Sequence, residues 1–435
     1  LVLNRKVLRN KILFFTALAT VFLICAPVIF AVVTFPNLIN NLGNFKEISS
    51  IGIENSKSIL GFTTDKKYLL VFQNSAEARG TGGIIGAYAV VNFHKGALSV
   101  ERKGSNVDLQ QASKLPIDLG SEYFNLYGND PAIWQNSNES PHFPYAAKIW
   151  LSLWEKQSGQ ILDGVVSVDP EAISYVLSIL GPVTLPSGEI INASNVVEKT
   201  LSTSYVRFAQ ENNKRKDFLV EIMSLVLNKL SSTNSLEKLK VANALMDPYT
   251  QHRLLFYSTN PTTQAAIEKT QFGGILSNSV NNEFRVVILN TSGNKMDYYL
   301  DKNISLRSMS CSKERKTKLV ATLTNTYNGI EPLPNYVWGR LDVNKPEGLG
   351  GSYGFYAFVY GPTNASIFTL DIDKEVDALL ALTQERNRPL ALIKVDLAPQ
   401  GSEKITAVFL GGKGELTYHR QPSVRPDKVK IQDNC

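Results

Sequence analysis

From Ile12 to Phe35 the chain reads ILFFTALATVFLICAPVIFAVVTF, about two dozen residues without a charge. A helix rising about 1.5 Å per residue needs roughly 20 residues to cross the hydrocarbon of a bilayer. The run is therefore long enough to span, with a kink at Pro27 of the kind membrane helices tolerate. Arg5, Lys6, Arg9 and Lys11 precede it and no such cluster follows, which puts the N-terminus in the cytoplasm. A cleaved signal peptide is the competing reading. Its apolar core is usually about 7–15 residues, and no Ala-x-Ala site is evident near the end of this run. The expectation is an uncleaved single-pass anchor in the plasma membrane, with the rest of the chain extracytoplasmic. The sequence opens on Leu1 rather than Met, and any piece upstream would be cytoplasmic.

The anchor divides the chain. Residues 1–11 form a basic tail, 12–35 the span and 36–65 a polar juxtamembrane stalk. The remainder is long enough for two domains. Residues 66–290 alternate strand-like and helix-like patterns, as in an α/β or α+β domain. Residues 295–435 carry short apolar runs between Gly, Pro, Asn and Ser clusters, the pattern of an all-β, sandwich-like domain. One stretch there, KEVDALLALTQERNRP, reads as a helix or a loop excursion. The net charge of +6 is mild and partly confined to the tail. It excludes the basic face that a nucleic-acid partner would need.

Within the first domain, YLLVFQ (Tyr68–Gln73) reads as a buried strand and AYAVVNF (Ala87–Phe93) as the next one, turning at Lys95-Gly96. Ile149, Trp150, Leu153 and Trp154 share one face of a helix that Gly159 ends. Asp169 is placed to cap a helix with Pro170 at its first position and Gly181-Pro182 as its stop. Between the first two strands lies QNSAEARGTGGIIGAY, Gln73–Tyr88. It lacks both G-x-G-x-x-G and Gly-Lys-Ser/Thr, and a strand rather than a helix follows, so it does not read as a nucleotide loop. Two readings remain. In one, the glycines allow positive φ and close backbone approach in a strand-to-strand turn, with Glu77 and Arg79 solvated or paired. In the other, Arg79 offers its forked donors to an anion or diphosphate, with Asn74 and Glu77 beside it.

The stretch YLLVFQNSAEARGTGGIIGAY resembles the signature of an uncharacterised bacterial membrane-anchored family, domain of unknown function 4012. DGVVSVDPEAISYVLSILGPVTL, LNTSGNKMDYYL, LPNYVWG and YHRQP extend the resemblance over most of the chain beyond the anchor. The family implies no activity. A fainter likeness is to LytR-CpsA-Psr proteins, membrane-anchored enzymes that move glycopolymers from a lipid diphosphate to the cell wall. Arg207, in Tyr-Val-Arg, and Arg215 sit where that family has its later arginines. Arg102 and Asp108 sit near its Pro-Arg-Asp element, although the motif itself is absent. Only Thr64-Asp65 stands in place of its Arg-Ser-Asp. This likeness implies a polyprenyl-diphosphate glycan or cell-wall polymer as partner, bound by Arg79, Arg207 and Arg215 facing one pocket. Mg²⁺ would follow only from the transferase reading, and no cofactor is otherwise evident. The alternative is a non-catalytic envelope or surface scaffold.

Cys311 and Cys435 lie outside the apolar run. They could pair in an oxidising compartment or remain two free thiols. His94, His142, His252 and His419 have no metal-ligand spacing. No nucleophile elbow or zinc-protease helix occurs, so a catalytic set is not assignable.

Overall fold

The computed structural model describes residues 51–279, 281–311, 315–330, 333–344, 348–373 and 378–435. The basic tail, the Ile12–Phe35 run and the stalk up to residue 50 lie outside the described residues. Among the described residues no helix is long and apolar enough to cross a membrane.

The first sheet is built from β1 (Lys66–Arg79), β2 (Gly82–His94), β3 (Ala97–Ser105), β4 (Gly164–Val168) and β7 (Leu255–Ser258), in the order β3-β2-β1-β4-β7. β1 runs antiparallel to β2 and parallel to β4. Its residues are buried on both faces, which explains the unbroken apolar run YLLVF. Tyr68, Leu70 and Phe72 face one core with α2 (Pro170–Leu180), α3 (Asn212–Ser232) and α4 (Ser235–Ala244). Leu69 and Val71 face a second core with α1 (Phe143–Ser158) and Trp134.

The helix boundaries follow their local chemistry. The Asp169 carboxylate accepts from the Ala172 amide and Pro170 opens α2. Gly159 closes α1 in the left-handed region at φ 69°. Trp150 and Trp154 are fully buried in α1. A small hairpin joins β5 (Val183–Thr184) to β6 (Ile190–Ile191).

The C-terminal part is β-rich. One sheet has the order β12-β15-β10-β9-β17, from β9 (Leu300–Ser310), β10 (Lys316–Asn325), β12 (Ser366–Ile372), β15 (Ser402–Leu410) and β17 (Lys428–Gln432). Another has the order β13-β14-β11-β8-β16, from β8 (Glu283–Asn290), β11 (Tyr353–Tyr360), β13 (Leu379–Glu385), β14 (Arg388–Leu397) and β16 (Thr417–Tyr418). Their facing side chains, such as Ile288, Phe355, Leu319 and Phe409, form one core. The other face of the β8/β11/β14 sheet contributes Val287, Leu289, Phe358 and Tyr360 to the second core with α1. That sheet is therefore a middle layer, covered on both sides.

Two features depart from the sequence reading. β8, grouped with the first domain by its position before residue 290, pairs with β11 of the β-rich part. The stretch read as a helix or loop excursion, where described, holds β13, which forms a hairpin with β14. Arg386 and Asn387 make its two-residue turn, both with positive φ. Leu379, Leu380 and Leu382 are exposed on this edge strand, so its apolar residues do not report an inward face.

Candidate functional site

β1 does not end at Gln73. It continues through Arg79, and only Gly80-Thr81 separate it from β2. Asn74 pairs with Ile84 and Ala78 with Gly83, so Ser75-Ala76-Glu77 bulge out of the ladder. The bulge re-aims Glu77 and Arg79. The glycines permit close approach: a Cβ on Gly83 would lie 2.0 Å from the Asn74 carbonyl oxygen, and one on Gly80 would lie 2.1 Å from that of Glu139. Gln73 fastens the turn, its Oε1 accepting from the Gly83 amide at 3.0 Å and its amide donating to Ser167 Oγ at 2.6 Å.

Arg79 is spent on the protein itself. Its Nε donates to Gln135 O at 2.9 Å, and Nη1 donates to Ala78 O at 2.9 Å and Asn290 O at 3.2 Å. Its Nη2 donates to Glu77 Oε1 at 3.2 Å and Asn136 Oδ1 at 3.1 Å. A guanidinium has five N–H donors, and all five are occupied. The Glu77 carboxylate also bonds Lys295 Nζ. Burial pushes the Glu77 carboxyl up, but Lys295 and Arg79 outweigh it and hold the group below the usual range. Burial alone would lower the Lys295 ammonium, yet Glu77, with Tyr336 and Tyr205, raises it. Asp297 stands behind this pair, accepting from the Ala78 amide at 2.9 Å, from Asn290 Nδ2 at 2.7 Å and from the Tyr353 hydroxyl. Burial raises the Asp297 carboxyl while those donors oppose the shift.

The cluster extends to a second cation. Asn74 Nδ2 donates to the Tyr205 hydroxyl. The Arg215 guanidinium lies 4.4 Å from the Tyr205 ring centroid and 5.7 Å from that of Tyr336. Lys295 Nζ lies 4.7 Å from the Tyr336 ring. Asn74, Glu77, Arg79 and Arg215 thus belong to one cluster, with Arg215 at its far end. Arg207 does not reach it: it pairs with Glu189 at the surface and lies over Phe208 and Phe218. Arg102 lies over Trp154 on β3, and Asp108 caps the turn after β3 by accepting from the Ser105 amide at 2.8 Å. β2 separates these two from β1.

Lys295, Asp297 and Tyr336 were not singled out by sequence. The first two stand in the Asn-Lys-x-Asp element of LNTSGNKMDYYL, where ionisable residues interrupt a chain that returns to a buried strand. That interruption was the available signal.

Beside Arg79 a cleft of about 460 Å³ opens between the turn around residues 130–139 and the β8/β11/β14 sheet. Arg79, Asn136 and Glu139 form its polar wall, and Leu289, Tyr356 and Phe358 its apolar one. Burial pushes the Glu139 carboxyl up to about 8; Arg79 opposes this and Asp130 adds to it. A smaller apolar crevice of about 40 Å³ lies on the other side of β1, among Phe72, Ile173, Leu219 and Met223, with Asn74 at its edge.

Among the described residues no group of three or more His, Cys, Asp or Glu is placed to hold a metal ion. His252 and His419 do meet, their rings stacked at 3.4 Å between centroids. Cys311 and Cys435 are disulfide-bonded, with Cα atoms 5.4 Å apart.

The bulged strand, its glycines and the strand–helix unit that follows coincide with a known sequence family. Residues 64–205 match the family described as "Protein of unknown function (DUF4012)". The DUF4012 stretch contains Asn74, Glu77 and Arg79 and ends at Tyr205. Lys295, Asp297 and Arg215, which complete the cluster, lie beyond it. No curated protein matches the chain. Among solved structures, the Lin1025 protein from Listeria innocua is similar at 13% identity, covering 51% of this chain and 85% of that one, with a TM-score of 0.25. A likeness that loose bears on neither fold nor function.

Proposed function

We propose that this chain is a membrane-anchored, extracytoplasmic protein of the bacterial cell envelope that binds its ligand without transforming it. The occupied Arg79 guanidinium carries this reading. With its donors taken and Glu77 locked to Lys295, the DUF4012 glycine stretch is a joint between the first sheet and the β-rich part. It has no free fork for a diphosphate. The Ile12–Phe35 run and its preceding cations support the anchor, and the Cys311–Cys435 bond fits an oxidising compartment.

A second reading has one observation in its favour. Arg215 and Lys295 place two cations in the same cluster as Asn74, which borders the apolar crevice. Such cations suit a diphosphate, and a transferase acting on a lipid-linked glycopolymer would then call for Mg²⁺.

The test is titration of the full-length chain in detergent micelles with a polyprenyl diphosphate, with and without Mg²⁺. The binding-protein reading expects no Mg²⁺-dependent association. Association that Arg215→Ala abolishes at unchanged melting temperature would replace it with the transferase reading. Protease added to intact bacteria tests the anchor. Digestion of the part after residue 50 is expected, and its protection until lysis would overturn the extracytoplasmic assignment.

A further inference from the structure

The cleft beside Arg79 has a makeup that selects by chemistry. Its volume of about 460 Å³ falls within the roughly 300–1,000 Å³ of small-ligand pockets. Arg79, the cation that lines it, offers an anion no donor, because it gives all five N–H groups to protein acceptors. The carboxylate nearest to it, Glu77, is already neutralised by Lys295 and Arg79. A purely apolar ligand would strand the polar wall.

That wall has unused hydrogen-bonding capacity. The Glu139 carboxyl lines the cleft and makes no hydrogen bond among the described residues. Held protonated near neutral pH, it offers one donor and one acceptor. Gln135 Oε1 is buried without a partner at the same wall, while the backbone oxygen of Gln135 holds Arg79. Opposite stand Tyr356, half-buried on β11, with Phe358 and Leu289. Planar polar groups facing an aromatic and aliphatic wall match a molecule with hydroxyls at its edge and C–H groups on its face.

The geometry points to a binding site for a neutral saccharide segment in this cleft, with Gln135 and Glu139 meeting hydroxyls and Tyr356 meeting the face of a sugar ring. The site rests on the binding-protein reading and names its ligand class. The groups facing Glu139 are Arg79 from β1, Tyr123 from the helix Ser121–Tyr127 and Asp130 from the turn after that helix. Ionisation of Glu139 removes its donor, so affinity falls as pH rises through about 8.

The experiment is calorimetric titration of the full-length chain in detergent micelles with maltotetraose, cellotetraose and chitotetraose, and with tetragalacturonate as the anionic counterpart. At least one neutral tetrasaccharide is expected to bind. Its affinity should drop about tenfold in Gln135→Ala and in Tyr356→Ala. Glu139→Gln, which cannot ionise, should lose the decline in affinity above pH 8. A folded wild type that binds none of the neutral sugars, or only tetragalacturonate, overturns the proposal. So does affinity that neither Gln135→Ala nor Tyr356→Ala changes. Diphosphate binding governed by Arg215 would instead overturn the binding-protein reading, so the two failures are told apart.

Discussion

Glu77 and Lys295 lie 218 residues apart in sequence and form an ion pair with side chains only 9% and 1% exposed. The pair ties the bulge of β1 to the segment between β8 and β9. It also decides what the glycine stretch does, because a carboxylate held this way serves neither as a base nor as a metal ligand.

Removing one partner strands the other. Lys295→Met leaves Glu77 buried with Arg79 alone, and breaking a buried pair in this way typically costs about 3–5 kcal/mol. Glu77→Gln added to Lys295→Met removes the orphaned charge and keeps an acceptor for Arg79. The double variant is expected to regain part of the loss. Urea denaturation of the two variants checks this, and a double variant worse than the single one would refute it.

The disulfide gives a second expectation. Cys311 follows β9 and Cys435 follows β17, the strand paired in parallel with β9. Cys435→Ser is expected to cost about 2–4 kcal/mol, as removal of such cross-links typically does. Amide exchange at Lys428–Gln432 should rise more than at β10. Equal exchange in both strands would mean that β17 is held by its hydrogen bonds alone.

What the sequence made legible was local. The apolar run of β1, the Asp169-Pro170 helix start and the Gly159 stop each follow from neighbouring residues, and each stands in the structure as read. The length of β1 was not legible, because Asn74, Glu77 and Arg79 are polar and their burial depends on partners far along the chain. β13 was misread because its leucines are exposed on an edge strand and its turn uses Arg386-Asn387 without glycine. Arg207 and Arg215 look equivalent in sequence. The break between the helix Ser204–Arg207 and α3 sends Arg207 to the surface and Arg215 to the cluster.

Glu139 offers a pH-dependent expectation of one sign. Burial raises its folded-state value to about 8, above the ordinary carboxyl range. The unfolded chain therefore releases this proton first, and the group costs stability progressively as pH rises from about 4.5 towards 8. Glu139→Gln removes that cost. The variant should gain about 1–3 kcal/mol on wild type between pH 5 and pH 8, measured by denaturant midpoints. An unchanged difference between the two pH values would mean that Glu139 ionises normally.

The stacked histidines act in the opposite direction. His252 is buried and His419 half-buried, with rings 3.4 Å apart. Burial, followed by Arg285, lowers His252 to about 3, with Glu283 opposing and Arg420 adding. Burial, Arg285, His252 and Arg388 lower His419 well below its usual value. Each is a base whose folded-state value lies under about 6.5, the value in an unfolded chain. The unfolded state therefore takes up these protons first. The stabilisation is complete above about pH 6.5 and is lost as pH falls from there towards the folded-state values. Each neutral histidine contributes a slope of about 1.4 kcal/mol per pH unit in that window. Glu139 slopes the other way over the same range, so the informative quantity is the difference between wild type and a histidine variant. His252 has φ +59°, which asparagine adopts readily, so His252→Asn preserves the backbone. Between pH 6.5 and pH 5, wild type is expected to lose about 2 kcal/mol more than this variant. Parallel stability curves would show that the histidine pair opens to solvent and titrates freely.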